Sequence, residues 1–154
     1  MTAWRRTTKF DARGAALADR HYSRRTVGSP QFMPPGRTLV FVTDDGLAVW
    51  GTHWPRPDLA MDGLDAWRCS IFRNEGPHLS SELIREAMGL TAELWQTRPR
   101  DGWLTFVKVD AVRSVNPGAC FKAAGWELDR DWQHPKLVRL TAPVPLPAQM
   151  ELVG

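Results

Sequence analysis

Three stretches of this 154-residue chain carry residue types that could do chemistry. The first is Asp19-Arg20-His21-Tyr22-Ser23-Arg24-Arg25, which sets an imidazole, the only tyrosine of the chain and a hydroxyl side by side. Imidazole titrates near neutrality and serves as a base or a metal ligand, and a phenol can donate a proton or bind iron. His21 and Tyr22 are therefore candidate catalytic residues and a candidate iron site, with an ordinary structural His–Tyr pair as the alternative. The second is Arg73-Asn74-Glu75-Gly76-Pro77-His78-Leu79-Ser80, a glycine turn between an expected strand and an expected helix. Backbone N–H groups at such a helix start attract anions, so Arg73, Asn74, Gly76, His78 and Ser80 are candidate cofactor contacts. Alternatively Gly76-Pro77 is only a turn and Ser80 only a cap. The third is Asp110 at the end of an apolar strand, followed by Asn116-Pro117-Gly118. Asp110 sits where ligands gather in open α/β sheets, and capping the next turn is its alternative role.

The elements that must hold these residues follow from periodicity and turn chemistry. A short strand and a weak helix over 12–20 open the chain, with Gly14 counting against that helix. Residues 23–36 contain Gly28, Pro30, Pro34, Pro35 and Gly36, a loop of the length used for binding or lids. Residues 37–43 and 47–53 flank Asp44-Asp45-Gly46 and predict a hairpin. A strand over 66–72 follows. Leu83, Ala87, Leu90 and Leu94 repeat at helical spacing, which predicts a helix from Ser80 to Gln96. Residues 103–109 read as a strand, and Asn116 and Pro117 as the cap and first position of a short helix that Gly125 ends. A last strand is expected over 126–132 or 136–140. Pro143, Pro145 and Pro147 then predict an extension without core contacts over 141–154, outside a single domain of residues 1–140.

Composition narrows the class. A chain of this length buries roughly 70% of its unfolded surface in one core, and 43% hydrophobic with 24% charged residues is ordinary for a globular protein. The apolar runs are too short for a membrane span, which predicts a cytoplasmic protein without a membrane partner. Cys69 and Cys120 form no metal-binding or disulfide pattern. Between residues 1 and 37, eight arginines and lysines face only Asp11 and Asp19, while the rest of the chain is net acidic. That basic end, with Arg24 and Arg25 beside His21, suits a polyanion such as DNA; a solvated basic surface is the alternative. Most of the eight tryptophans must be core. One near the site, Trp54, could stack on a base.

The order of strand, short helix, Gly125-Trp126 and final strand resembles the last third of GNAT-fold acyltransferases. That resemblance implies a mixed α/β (α+β) domain with a mostly antiparallel, twisted sheet, splayed central strands and flanking helices. In that family the turn corresponding to Arg73 and Gly76 binds coenzyme A, so acetyl-CoA or another acyl donor is implied. His78 departs from the family's small residue there, and Phe121 stands where members often carry an acid tyrosine. Taken together, His21-Tyr22-Ser23, the hairpin, Arg68 in its strand, the Ser80-Ser81 helix start, Phe106-Val107-Lys108-Val109-Asp110 and Asn116-Pro117-Gly118 resemble the phage Mom-type DNA modification proteins over residues 17–140. The resemblance implies a transferase acting on the exocyclic amine of adenine in DNA, in a host cytoplasm if phage-encoded. It further implies that His21, Tyr22, Arg68, Ser81 and Asp110 are site residues, with Asn116 near the cofactor. An N-acyltransferase on a small amine or protein, and a non-catalytic nucleic-acid-binding domain, are the other expectations. Sheet edges of this kind can also pair into a homodimer.

Overall fold

The computed structural model describes residues 2–21, 24, 26–109 and 118–145. Tyr22, Arg25, Asp110 and Asn116 lie outside the described residues. Seven strands form one sheet: β1 (Trp4–Thr7), β2 (Arg37–Thr43), β3 (Ala48–Trp54), β4 (Trp67–Asn74), β5 (Trp103–Lys108), β6 (Glu127–Leu128) and β7 (Leu137–Ala142). Their spatial order is β1-β2-β3-β4-β5-β7-β6. Every neighbouring pair is antiparallel except β4 and β5, which run parallel. A crossover through α2 (Ser80–Leu94) makes that parallel step possible, since parallel neighbours cannot be joined by a tight hairpin.

Alternation along β2 and β3 sends side chains to two cores. Leu39, Phe41, Ala48 and Trp50 enter a larger core with Leu83, Ile84 and Ala87 of α2 and with Phe121 of α3 (Ala119–Ala123). Val40, Val42 and Val49 enter a smaller one with Leu17 and Ala18 of α1 (Ala12–Asp19). Asp11 caps α1 by accepting from the Arg13 and Gly14 N–H groups. Gly14, which weakens the helix by propensity, is explained by close approach: a Cβ there would come within 2.6 Å of the Phe32 ring. The loop after α1 therefore lies directly on the helix.

Several boundaries differ from expectation for local reasons. Helix α2 starts at Ser80 as expected, after Leu79, which makes no side-chain cap, but it ends at Leu94 and not at Gln96. The short helix α3 begins at Ala119 after a left-handed Gly118 (φ 77°), two residues beyond the start expected at Pro117. The last long strand runs to Ala142, which is buried, and Val144 still packs on the core, so contacts extend past residue 140. That edge is completed by β6, which pairs with β7.

Candidate functional site

The site begins with a defect in β4. Thr52 pairs with Cys69 and Gly51 with Ile71, which leaves Ser70 as one extra residue with no partner on β3. Such a bulge bends its strand and re-aims the side chains beyond it. Cys69 enters the larger core and Ile71 the smaller one, on opposite faces of the sheet, although they are two apart in sequence. On its other side β4 pairs with β5 only at Trp67–Trp103 and Arg68–Leu104. Beyond Leu104 the strands separate. The opening is spanned by the Thr105 hydroxyl, which donates to the Cys69 carbonyl at 2.9 Å.

The gap holds a cavity of about 40 Å³ lined by His21, residues 69–72, residues 105–107 and Phe121. His21 reaches it because α1 ends in a turn in which the His21 N–H donates to the Ala18 carbonyl. Burial, reinforced by the Arg73 guanidinium, lowers the His21 pKa to about 4. The ring is therefore neutral at pH 7. Cys69 and Cys120 are thiols whose pKa values burial pushes up, Cys69 strongly so, which makes both poor nucleophiles.

A larger cavity of about 350 Å³ lies on the α1 face, under residues 26–35 of the loop. Ser70 and Ile71 line both cavities, so the bulge is their common wall. Ser70 and Thr105 were not singled out by the sequence, whereas the loop over this cavity was marked by its length. A lone serine in an apolar strand carries no local mark of a bulge.

The side chains of the turn expected to cradle a cofactor are engaged with the turn itself and its neighbours. The Asn74 side chain accepts from the Gly76 N–H at 3.0 Å and donates to the His78 carbonyl and the Ser80 hydroxyl. The Glu75 N–H donates to the Leu47 carbonyl, which ties the turn to the β2–β3 hairpin, and a Cβ on Gly76 would lie 3.0 Å from Leu47 Cβ. Arg73 donates to Glu75 at 2.5 Å and to the Arg20 carbonyl. Arg20 also holds Glu75 in a two-bond contact, and these two arginines lower the Glu75 pKa to about 2. Asn74 and Gly76 thus shape the turn, and Arg73 is committed to Glu75. These side chains are therefore engaged within the fold. His78 is exposed, and neither Ser80 nor the buried Ser81 is part of the gap lining.

Of the expected nucleic-acid contacts, Arg24, Arg68 and Trp54 are engaged within the fold, and Arg25 lies outside the described residues. Arg24 is buried and donates to Asp19 and to the Ser29 and Gln31 carbonyls. Arg68 forms a two-bond pair with Asp62 at 2.7 Å. Trp54 is buried, with Arg37 stacked 3.8 Å from its ring centre, so no face is left for a base. Arg5, Arg13 and Arg20 are paired to Asp44, Asp11 and Glu75. Much of the basic end is therefore neutralised within the fold. Arg6 and Lys9 have no ion pair among the described residues. The half-buried Trp132 meets Phe106 of the gap wall at 5.1 Å, and its ring is likewise engaged, stacked on His134 and covered by the Arg139 guanidinium at 4.8 Å.

Among the described residues, no group of three His, Cys, Asp or Glu side chains could hold a metal. An iron site using His21 would need Tyr22, which lies outside them. No helix there is long and apolar enough to cross a membrane. No protein-family model matches the sequence, and no curated protein matches it.

Proposed function

We propose that this protein is a GNAT-type transferase that moves an acyl-derived group onto an amine at the β4–β5 gap. The observation that carries this reading is the parallel pair opened by the Ser70 bulge, with a neutral imidazole over the opening. Strands that part leave main-chain donors and acceptors without strand partners, and a ligand entering the gap can satisfy them. The Mom-like combination of motifs favours adenine in DNA as the acceptor. Acyl transfer to a small amine is the second reading, favoured by the internal pairing of Arg5, Arg13, Arg20 and Arg24 in the amino-terminal third.

In either case the amine nitrogen attacks the carbonyl carbon of an activated acyl donor. The carbonyl π electrons move to oxygen, and main-chain N–H groups at the gap stabilise that oxyanion. The attacking nitrogen becomes cationic and strongly acidic, so an imidazole of pKa about 4 can accept its proton. Collapse of the adduct expels the donor's leaving group and leaves an amide. Because the side chains of the glycine turn are engaged with one another, no step is assigned to coenzyme A. Asp110 is the sequence's other candidate for the proton acceptor.

The test is to express the protein in a bacterial host, digest the DNA to nucleosides and examine the adenine fraction by mass spectrometry. A new adenine adduct that disappears in His21→Gln and Asp110→Asn is the expected result. An unchanged profile from folded protein rejects the DNA reading, and failure to acylate a panel of small amines rejects the transferase reading too.

A further inference from the structure

We infer that the cavity under residues 26–35 is the acceptor pocket and that it takes a neutral, planar heteroaromatic ring bearing an N–H edge, with Gln31 as the group that reads that edge. This inference rests on the transferase reading for the delivery of the ring, though not for its binding.

Charge disfavours ionic ligands. Among the described residues Arg24 is the only ionisable side chain in the lining, and its guanidinium is consumed by the Asp19 carboxylate and two loop carbonyls. An anion or cation bound there would lose its water without gaining a counter-charge. Shape and surface favour a flat ring: Phe32, Met33, Pro34 and Ile71 supply apolar wall, and a volume of about 350 Å³ suits a single small ring system. Met33 contributes a thioether, which packs well on aromatic edges.

The polar lining is neutral and selective. Gln31 Nε2 donates to the Met33 carbonyl at 3.2 Å, which fixes the amide while leaving Oε1 with no donor among the described residues. That oxygen can accept from a ring N–H or exocyclic amine, the use a glutamine amide serves on adenine edges. Asp19 and Arg24 are positioning residues. Asp19 accepts from Arg24 and the Gly28 N–H, and Arg24 holds the Ser29 and Gln31 carbonyls, so the pair sets the loop over the cavity. The shared Ser70 and Ile71 wall places a ring in this pocket next to the gap.

The probe is 9-methyladenine, with 9-methylpurine, which lacks the exocyclic amine, and inorganic phosphate as comparisons, titrated into the full chain and followed by amide chemical shifts. Saturable binding of 9-methyladenine at residues 26–35 is expected, at least tenfold weaker for 9-methylpurine, with no phosphate response in the loop. Gln31→Leu should weaken binding about tenfold, and Thr26→Trp, at an exposed position on the rim, should block it while the melting temperature holds. No binding, or binding that both variants leave intact, overturns the inference. If adenine adducts form in DNA while both variants turn over normally, the pocket assignment fails and the transferase reading stands. If 9-methyladenine binds as expected and no adduct or acylated amine ever forms, the transferase reading fails and the pocket stands.

Discussion

The two ends of the β4–β5 pair are built from opposite materials. At the closed end Trp67 and Trp103 face each other in register with ring centres 5.2 Å apart, and Trp50, Trp54, Trp95 and Trp126 pack around them. At the open end the neighbours are Ser70, Thr105, His21 and small cavities. Aromatic burial supplies cohesion that does not depend on backbone pairing, so the closed end can hold the sheet while the other end stays apart. The aromatic packing and the candidate site thus lie at opposite ends of one pair of strands.

The largest effect should come from weakening the closed end. Trp103→Ala removes a ring packed on three other tryptophans and should cost about 3–5 kcal/mol. Urea unfolding would measure it, and a loss below about 1 kcal/mol would mean that the aromatic cluster is not what holds the strands together.

Deleting Ser70 tests the open end. Removing the extra residue restores regular pairing with β3 while Cys69 and Ile71 keep their opposite faces, so the fold should survive. Turnover on the acceptor should fall at least 100-fold, because the gap wall straightens. Retained turnover would show that the bulge is incidental to the site.

Acidification acts on the same end. The folded-state pKa of His21 lies below its unfolded value of about 6.5, so the unfolded chain binds the proton more readily as pH drops. Stability from this group is complete above pH 6.5 and is lost progressively down to about pH 4. Buried His53, also lowered chiefly by burial, adds in the same direction. Melting temperatures across that window should fall for the wild type and less steeply for His21→Gln. Equal slopes would mean that His21 is not buried as the neutral ring.

Thr105→Val removes the hydroxyl that spans the opening and leaves the Cys69 carbonyl without that donor, at a cost of about 1 kcal/mol. The smallest change belongs to Glu75→Gln, since its arginine pairs are partly solvated and worth well under 1 kcal/mol. Its more useful readout is the His21 resonance. Without the carboxylate Arg73 is less neutralised, so the His21 pKa should fall further, and a rise would contradict the placement of that arginine.

Local chemistry made much of the scaffold legible. Asp44-Asp45-Gly46 between apolar runs forms the hairpin as expected, and the 3.6-residue spacing of Leu83, Ala87, Leu90 and Leu94 forms α2. Gly125 adopts the positive φ (100°) that its place after the short helix requires. These signals depend on residues within one or two turns of each other, which is why they can be read from the chain. His21 was also legible, because an imidazole beside a long loop stands out by type.

The tertiary structure decided everything that depends on partners far apart in sequence. The buried pattern of Trp67, Cys69 and Ile71 looks like uninterrupted two-residue alternation, yet Ser70 bulges and Ile71 turns to the other core because β3 offers one residue fewer. Arg20 looked available because its partner Glu75 lies 55 residues away, whereas Arg24 with Asp19, Arg68 with Asp62 and Arg73 with Glu75 are local pairs, five, six and two residues apart, that spacing alone could have suggested. Composition and spacing determined which elements form, since those depend on neighbours along the chain. Which strands part, which cations stay free and where the pocket opens were set by packing, since burial and pairing are properties of the assembled sheet.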